Sequence, residues 1–367
     1  MLRRRAIALG LISALSWTGA GFADEPAKPA PMGQPAIIKS EGVVHDLGPC
    51  CGGCEPAACG GLQAGIGFYY IKPVWDSNPA LNTLNTGASF GGFDRGRIDH
   101  FSYDFDFAPL IWIGVSDGNV GARVRFWTFD ESASLSRIDD SLDLIISSAA
   151  PLGINITSRG LLGGTETITA VGDLQLEVWD LEGTYTHQLC GFDITYFGGL
   201  RYVHLSQSYN AAVVGNNTGI LLQALSSGHN LNVAGLTGGV ETRRAIGCTG
   251  LAVYGSSRAS LLYGHSRQTA VAVDFTQEVE QGIGKGADTS REDLLPILEA
   301  ELGVEYSANM GSSTLFIQAG LVGQVWFGAG NNSRSSSPDV LGPAAGGTIS
   351  DDNLGFFGFV IAGGIRY

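Results

Sequence analysis

The fold is decided by the stretch Asn353-Leu-Gly-Phe-Phe-Gly-Phe-Val-Ile-Ala-Gly-Gly-Ile-Arg-Tyr367. Every second residue from Phe357 to Tyr367 is large and apolar, with one glycine among them, and the residues between are mostly small. A period of two indicates a β-strand with two different faces. A terminal aromatic strand of this kind is typical of outer-membrane β-barrels, so the stretch predicts an all-β, antiparallel, up-and-down transmembrane barrel.

The composition of the whole chain agrees with a barrel. Hydrophobic residues make up 44% of it and charged residues 15%, yet no run reaches the roughly 18 consecutive apolar residues of a membrane helix. Short alternating runs are what a barrel needs, because every second residue faces lipid. The formal net charge of −14 argues against nucleic acid as a partner, since nucleic-acid binding favours a basic surface.

The first 60 residues have two segments of their own. Residues 1–23 combine Arg3 to Arg5, a short apolar stretch and small residues before Ala23, which predicts a cleaved signal peptide. Residues 24–60 are rich in proline and cysteine and predict an extended periplasmic linker. The barrel is then expected to occupy residues 61–367.

Strand and turn signals alternate along this barrel region. Ten strands are predicted, at 62–71, 98–115, 121–130, 172–186, 193–206, 236–247, 251–263, 292–307, 313–327 and 354–367. Short turns, such as Ser116-Asp-Gly-Asn119, alternate with long polar loops at 76–97, 131–170, 208–234, 264–290 and 328–352. Short periplasmic turns and long extracellular loops are typical of outer-membrane barrels. A hairpin within 131–170 would raise the count to twelve.

The alternation also predicts which residues face the lumen. On strand 98–115 one face carries Phe101, Tyr103, Phe105 and Phe107, and the other carries His100, Ser102, Asp104 and Asp106. An ionised side chain at the lipid midplane costs roughly 2–4 kcal/mol, less for acids, so the charged face is the inner one. The predicted pore-lining residues are Asp104, Asp106, Arg123, Arg125, Glu177, Glu182, Arg201, Glu241, Arg243, Arg258, Glu299, Glu301 and Glu305.

A lumen lined by both charge signs has two interpretations. In a wide barrel the charges border water and filter solutes, and in a narrow one they pair and fill the interior. The first gives a passive pore for small hydrophilic solutes or ions, with a weak cation preference from eight acids against five arginines. The second gives a closed barrel that acts as a structural or adhesion anchor. A secreted β-sandwich would also alternate, but it does not explain the loop asymmetry.

Several segments resemble a known family. They are Phe107-Ala-Pro-Leu-Ile-Trp-Ile-Gly114 with Gly121-Ala-Arg-Val-Arg-Phe-Trp127, Phe197-Gly-Gly-Leu-Arg-Tyr-Val203 and the aromatic C-terminal strand. Together they resemble the pore-forming outer-membrane proteins related to the Legionella major outer membrane protein, over residues 60–367. The resemblance implies a porin-like barrel in the bacterial outer membrane that passes small solutes. Two features depart from the pattern: Tyr367 stands where phenylalanine is commoner, and 24–59 does not look like barrel sequence.

The six cysteines of an exported chain suggest disulfides more than free thiols. Cys50, Cys51, Cys54 and Cys59 are clustered, and disulfides or intermolecular cross-links fit them better than a metal or redox site. Cys190 and Cys248 lie at the short-turn ends of two strands expected to pair. Because paired strand ends come within the reach of a disulfide, the sequence predicts a Cys190–Cys248 bridge.

Neither catalysis nor a cofactor is indicated. His204-Leu-Ser206 places an imidazole and a hydroxyl on one strand face, but no orienting carboxylate is evident, and HExxH, GxSxG and Walker motifs are absent from the sequence. No metal or catalytic residue is therefore predicted. The expected partners are outer-membrane lipid, the barrel-assembly machinery through the C-terminal strand, and small solutes. A homo-oligomer or a cysteine cross-linked envelope partner is left open.

Overall fold

The computed structural model describes residues 61–85, 96–140, 144–150, 152, 154–159, 165–189, 191–275, 283–333 and 352–367. The predicted signal peptide 1–23 and linker 24–60 lie outside these residues. Fourteen strands are described: β1 Gly61–Trp75, β2 Pro79–Asn85, β3 Arg97–His100, β4 Asp106–Asp117, β5 Val120–Asp139, β6 Leu144–Ser148, β7 Thr157–Arg159, β8 Glu166–Leu189, β9 Phe192–Gly215, β10 Leu221–Ala245, β11 Leu251–Asp274, β12 Ile283–Met310, β13 Ser313–Trp326 and β14 Leu354–Arg366. No helix of the described residues is long and apolar enough to cross a membrane.

Ten of these strands form a closed barrel. Their order is β1-β14-β13-β12-β11-β10-β9-β8-β5-β4, all pairs are antiparallel, and β1 closes the ring against β4. The predicted all-β antiparallel barrel is confirmed, with the smaller of the two predicted strand counts. The hairpin predicted within 131–170 exists as β6 and β7, but it belongs to a separate four-stranded sheet of order β3-β2-β6-β7.

The C-terminal strand closes the barrel as predicted. β14 pairs with β1, for example Gly358 opposite Ile71, and the amide of Tyr367 donates to the carbonyl of Leu62 at 2.8 Å. The faces are also as predicted. The large alternate residues Phe357, Phe359, Ile361, Ile365 and Tyr367 are exposed on the outer side.

Short turns join the barrel strands at the end that holds the first residue of β1 and the last residue of β14, and the connections at the other end are longer except for the turn between β9 and β10. The predicted turn between β4 and β5 is present, and Gly118 adopts φ +60°, a backbone conformation that glycine adopts without steric cost. By the rule for outer-membrane barrels, the short-turn end is periplasmic and the other end is extracellular.

Three predicted loops were wrong in extent. Most of 131–170, 208–234 and 264–290 is strand, and β9 and β10 meet in a turn at 216–220. The alternation continues there with smaller residues, as in Thr167-Ile-Thr-Ala170, whose Ile168 and Ala170 are buried inside the barrel. The alternate residues Thr167 and Thr169 are polar and face outward. Such a sequence resembles a loop, but here it belongs to a strand whose outer face is in water.

The outer face changes from apolar to polar at one row of paired residues. Phe126, Trp179 and Tyr202 are register partners on β5, β8 and β9, and the row ends with Tyr263 and Leu294 on β11 and β12. The polar row one step further contains Thr128, Glu177, His204, Asn232, His265 and Glu292. Aromatic residues at such a boundary are typical of the membrane interface, so the parts of these strands beyond it project out of the lipid.

The segment 98–115 also differs from its prediction. The ladder of β4 begins only at Asp106, and the predicted aromatic face divides: Phe105 and Phe107 are exposed, whereas Phe101 and Tyr103 are buried. The reason is packing at the extracellular end. Tyr103 lies against Trp75, with ring centroids 4.9 Å apart, and Phe101 lies against a barrel tyrosine.

Candidate functional site

The structure places eleven of the thirteen predicted lumen residues on the inner face. They are Asp106, Arg123, Arg125, Glu182, Arg201, Glu241, Arg243, Arg258, Glu299, Glu301 and Glu305. Glu177 is exposed on the outer face, because it alternates in phase with the outward Trp179. Asp104 is exposed and precedes the barrel strand β4. Whether the inner residues line a conducting pore stays a prediction.

Arg201 is at the centre of a cluster of ion pairs across the barrel, which we call the arginine layer. Its guanidinium donates to both oxygens of Asp180, with Nε 2.6 Å from Oδ1, and it also pairs with Glu299. Arg258 on the next strand but one pairs with Glu182 and lies 3.4 Å from Asp180. These side chains are almost completely buried. Buried charges require partners of this quality, because desolvation of an unpaired ion is expensive.

Two further arginines, both on β5, complete the arginine layer. Arg123 donates from Nε to Glu182 at 2.9 Å and from Nη2 to Glu241 at 2.6 Å. Arg125 donates to the hydroxyl of Tyr69 and lies 3.8 Å from Asp180. The layer therefore links side chains from β1, β5, β8, β9, β10, β11 and β12.

Phe197 separates two of the like charges in this layer. The guanidinium carbons of Arg123 and Arg258 lie 5.5 and 4.5 Å from the centre of its ring. The electron-rich face of an aromatic ring attracts a cation, so one phenylalanine helps to hold two arginines close together.

A second, smaller cluster lies at the short-turn end. Glu305 accepts hydrogen bonds from Arg243 at 2.8 Å, from Arg366 at 3.0 Å and from Gln318 at 2.8 Å. Arg243 also reaches Asp193 at 3.4 Å. This cluster joins β9, β10, β12, β13 and β14 near the periplasmic rim.

A cavity of about 460 Å³ lies between the two clusters, and we call it the vestibule. Its lining includes Ser116, Gly118 and Gln188 from the short-turn end, so it opens toward the periplasm. The arginines that line it are Arg123, Arg125, Arg243 and Arg366, and the carboxylates are Asp193, Glu241, Glu301 and Glu305. The vestibule is thus a polar chamber with balanced formal charge.

Beyond the arginine layer the lumen is filled with apolar side chains. Trp127 and Trp326 are both 0% exposed, and their ring centroids lie 6.4 Å apart. Phe356 lies against both of them and against Phe129, at 5.5 to 6.3 Å. We call these four residues the aromatic layer. Buried aliphatic residues from β8 to β12 surround it, so this level is a packed core.

Residues 329–333, which follow β13 and which we call the mouth plug, lie buried inside the extracellular end of the barrel. The backbone amide of Asn332 donates to Oε1 of Gln207 at 3.0 Å, and the side chain of Asn332 exchanges hydrogen bonds with Ser227. The carbonyl of Asn331 accepts from the side chain of Gln268 at 3.3 Å. The side chain of Asn331 donates to the carbonyl of Ser77 at 2.6 Å. Asn331, Asn332 and Ser333 are each 2–3% exposed.

The small sheet packs against the same end of the barrel. The hydroxyl of Tyr209 on β9 donates to the carbonyl of Ala80 at 2.7 Å and accepts from the amide of Ala149 at 2.9 Å. Asp99 of β3 accepts from Arg137 of β5 at 3.0 Å. One barrel tyrosine and one ion pair thus tie β2, β3 and the end of β6 to the wall.

Sequence reasoning missed several members of these clusters. Asp180 was the important omission, and the signal was available: Glu177 and Glu182 are five residues apart and cannot share a face, whereas Asp180 and Glu182 can. Arg366 falls in the inner set of the C-terminal strand. The mouth plug had no such signal, because Asn331 and Asn332 lie in a segment with the composition of a surface loop.

The hypotheses about the cysteines and about His204 and Ser206 are tested only in part by the described residues. Cys248 is disulfide-bonded. Cys190 and the cluster Cys50, Cys51, Cys54 and Cys59 lie outside the described residues, so the Cys190–Cys248 pairing stays a prediction. The candidate pair His204 and Ser206 bond to amides rather than to each other: His204 meets Asn232 at 2.7 Å, and Ser206 donates to Asn230 at 2.9 Å. Within the described residues, no group of three or more histidine, cysteine or acidic side chains could hold a metal ion.

The closed ring, the apolar outer belt and its aromatic boundary define an outer-membrane β-barrel. A family model described as the Legionella pneumophila major outer membrane protein precursor matches residues 123–366, and the chain belongs to this family. The predicted resemblance and the bacterial outer-membrane location are confirmed. No curated protein matches the sequence.

Three solved structures are similar to this chain at low sequence identity. The outer membrane protease OmpT from Escherichia coli is 9% identical, with a TM-score of 0.40 over 84% of this chain and 96% of that one. The P. putida toluene transporter TodX is 7% identical, with a TM-score of 0.20 over 83% and 89%. The Ralstonia pickettii toluene transporter TbuX is 9% identical, with a TM-score of 0.18 over 84% and 90%. Likeness at this level does not bear on what this barrel does.

Proposed function

We propose that the protein is a non-enzymatic outer-membrane channel for small hydrophilic solutes or ions, closed in the conformation described. The vestibule is the observation that carries the proposal, because a polar chamber leads from the periplasmic end to the arginine layer. Membership of an outer-membrane protein family supports it. Passage beyond the arginine layer requires the aromatic layer and the mouth plug to move, since an apolar constriction excludes water and ions.

The test is planar-bilayer conductance of refolded protein with Phe356→Ala as the key variant. Removing this ring from the aromatic layer should leave a path for water and raise both the frequency and the size of ohmic steps above those of the native chain. Phe357→Ala is the matched control, because the adjacent residue faces lipid and should leave conductance unchanged. Absence of steps in both the native chain and Phe356→Ala, although both are folded and inserted, would reject the channel.

A weak cation preference belongs to the same proposal. The arginine layer with Glu301 and the cluster around Glu305 contain seven carboxylates against six arginines, a small acidic excess. The reversal potential in a salt gradient should therefore have the sign of cation selectivity and be small. A clear anion-selective potential would contradict this part of the proposal without affecting conduction itself.

The second candidate is a closed barrel that anchors the extracellular strands and loops in the envelope. The filled lumen favours it, because Trp127 and Trp326 are fully buried as in a soluble core. If the barrel is only an anchor, Phe356→Ala should produce no conductance, the opposite of what the channel predicts. The variant should still lower the stability of the barrel by about 3–5 kcal/mol, the usual cost of emptying a packed aromatic site. The same bilayer experiment therefore separates the two functions.

A further inference from the structure

His229 lies between the two glutamines that hold the mouth plug. On the inner face it is the register partner of Gln207 on β9 and of Gln268 on β11. Gln207 bonds the backbone of Gly330 and Asn332, and Gln268 bonds the carbonyl of Asn331. All three side chains are almost completely buried. A change at His229 therefore acts directly on the groups that fix the plug.

The hydrogen bonds of this site suit a neutral imidazole. Nε2 of His229 meets the hydroxyl of Ser266 at 2.9 Å. Nδ1 of His229 and Oε1 of Gln268 are both buried and have no hydrogen-bond partner among the described residues. A protonated imidazole carries two N–H donors and a charge, so it would need a second acceptor and a counter-ion.

Among the described residues around His229, the one nearby carboxylate that could act as counter-ion is Asp293. The neighbours from β9, β11 and the plug are neutral: Gln207, Ser266, Gln268, Asn331 and Asn332. The charged groups come from β12, where Arg291 donates to Asp293 at 2.8 Å and so already occupies the carboxylate.

The position and the burial of His229 set its titration. Along β10, Asn232 belongs to the polar outer row, and His229 lies three residues further toward the extracellular end. His229 is therefore outside the part of the barrel in lipid. Burial lowers the pKa of His229 to about 4; the carboxylate of Asp293 opposes this shift and Arg291 adds to it.

We propose that His229 is an acid-sensitive latch whose protonation releases the mouth plug from Gln207 and Gln268. The charged ring would draw water into the site, attract the unpartnered Oε1 of Gln268 and compete for Oε1 of Gln207, which now accepts from the amide of Asn332. Release of the plug does not depend on the proposed channel function; only the consequence, opening of the extracellular mouth, rests on it.

The sign of the pH effect follows from linkage. A histidine released into water titrates near 6.5, whereas in the closed site its pKa is depressed. The contribution of His229 to closure is therefore fully present above about pH 6.5 and is lost as the pH falls toward 4. At pH 4.5 the closed-to-open ratio should be lower than at pH 7 by about two orders of magnitude.

Hydrogen exchange of residues 328–333 in the refolded full chain tests the latch. After correction for intrinsic rates, protection in the native chain should fall about 100-fold between pH 7 and pH 4.5. His229→Gln removes the titration and keeps amide chemistry, so its protection should change little with pH. His265→Gln is the matched control, because this histidine is exposed on the outer face of β11 and its loss should leave the native pH profile intact.

Two results would overturn the latch: unchanged protection in the native chain, or the same pH-dependent loss in His229→Gln. If His229→Gln does not refold, His229→Asn serves the same purpose. Conductance at both pH values separates the two proposals. Lost protection without any conductance, in the native chain and in Phe356→Ala, would keep the latch and reject the channel.

Discussion

Arg201 shows, at the scale of single residues, why the lumen is filled. It is 1% exposed and binds Asp180 through two hydrogen bonds and Glu299 through a third contact. The three side chains fill this part of the lumen and pair their charges with one another. A narrow barrel can bury so many charges only because the arginines find acidic partners on strands around the ring and across the lumen.

Replacing Arg201 by methionine should destabilise the folded barrel by about 3–5 kcal/mol, because Asp180 and Glu299 would remain buried without their main partner. Arg267→Ala is the control. Its pair with Asp288 is at least half exposed on both sides, so its loss should change stability very little. Urea unfolding in detergent micelles measures both values. Equal stability losses would show that burial does not determine the strength of these pairs.

The sequence could predict most residues of the arginine layer because charge and alternation both mark them. Arg123, Arg125 and Glu299 could be placed on the inner face from parity alone. Partner choice could not be predicted, because it depends on the register between strands. Arg123 bonds Glu241, which is 118 residues away in the chain.

At the scale of strands, the error in the predicted loops has a physical origin. Alternation was expected to end where apolar outward residues end, but a strand that leaves the lipid keeps its hydrogen-bonded ladder and changes only its outer side chains. β9 continues from His204 to Gly215 in this way. Polar outer residues therefore indicate that a segment is in contact with water, but they do not indicate whether it is a strand or a loop.

The contact between β3 and the barrel should depend on pH. Burial tends to raise the pKa of Asp99, but the hydrogen bond and charge of Arg137, with Arg97, hold it below its usual range. A depressed carboxyl pKa contributes stability above the ordinary value of about 3.9 that is lost as pH falls through the folded value. Arg137→Ala should therefore expose the amides of 97–103 to hydrogen exchange at pH 7.

The same contact offers an internal control. Arg97 is 71% exposed, so Arg97→Ala should have a smaller effect on exchange than Arg137→Ala. Because Asp99 titrates below its ordinary range, it remains largely ionised at pH 4.5 and should not confuse the measurement on the latch. If exchange in Arg137→Ala equals that of the native chain, the ion pair does not hold β3.

The two turns after β8 and β10 should be joined by the Cys190–Cys248 bridge. Phe192 is the register partner of Arg244, which places the short-turn ends of β9 and β10 side by side. A bridge there closes a long chain loop and should stabilise the fold by about 2–4 kcal/mol. Non-reducing peptide mapping should recover Cys190 linked to Cys248. A peptide that joins Cys248 to Cys50, Cys51, Cys54 or Cys59 would contradict the pairing.

At the scale of the whole molecule, three levels follow one another along the axis: a polar vestibule, a charged layer, and an apolar layer under a plugged mouth. Composition and alternation were sufficient to predict the barrel, its strand count within two and its location. They could not predict the filling. Whether a lumen of ten strands holds water or side chains depends on the sizes of Trp127, Trp326 and Phe356 where they meet, and these residues come from three distant segments.

Closure of the barrel should depend on Gly358 of β14, which lies opposite Ile71 of β1. A Cβ atom built at Gly358 would lie only 2.0 Å from the carbonyl oxygen of Tyr70 and 2.8 Å from Cα of Ile71, so even alanine would push the two strands apart. Gly358→Ala should therefore prevent the folded barrel from forming in detergent. Gly355→Ala on the same strand is the control, because its Cβ would be 3.5 Å or more from its neighbours. Mobility of unheated samples on SDS gels distinguishes folded from unfolded barrel, and a compact band for Gly358→Ala equal to that of Gly355→Ala would show that the β1–β14 seam tolerates separation.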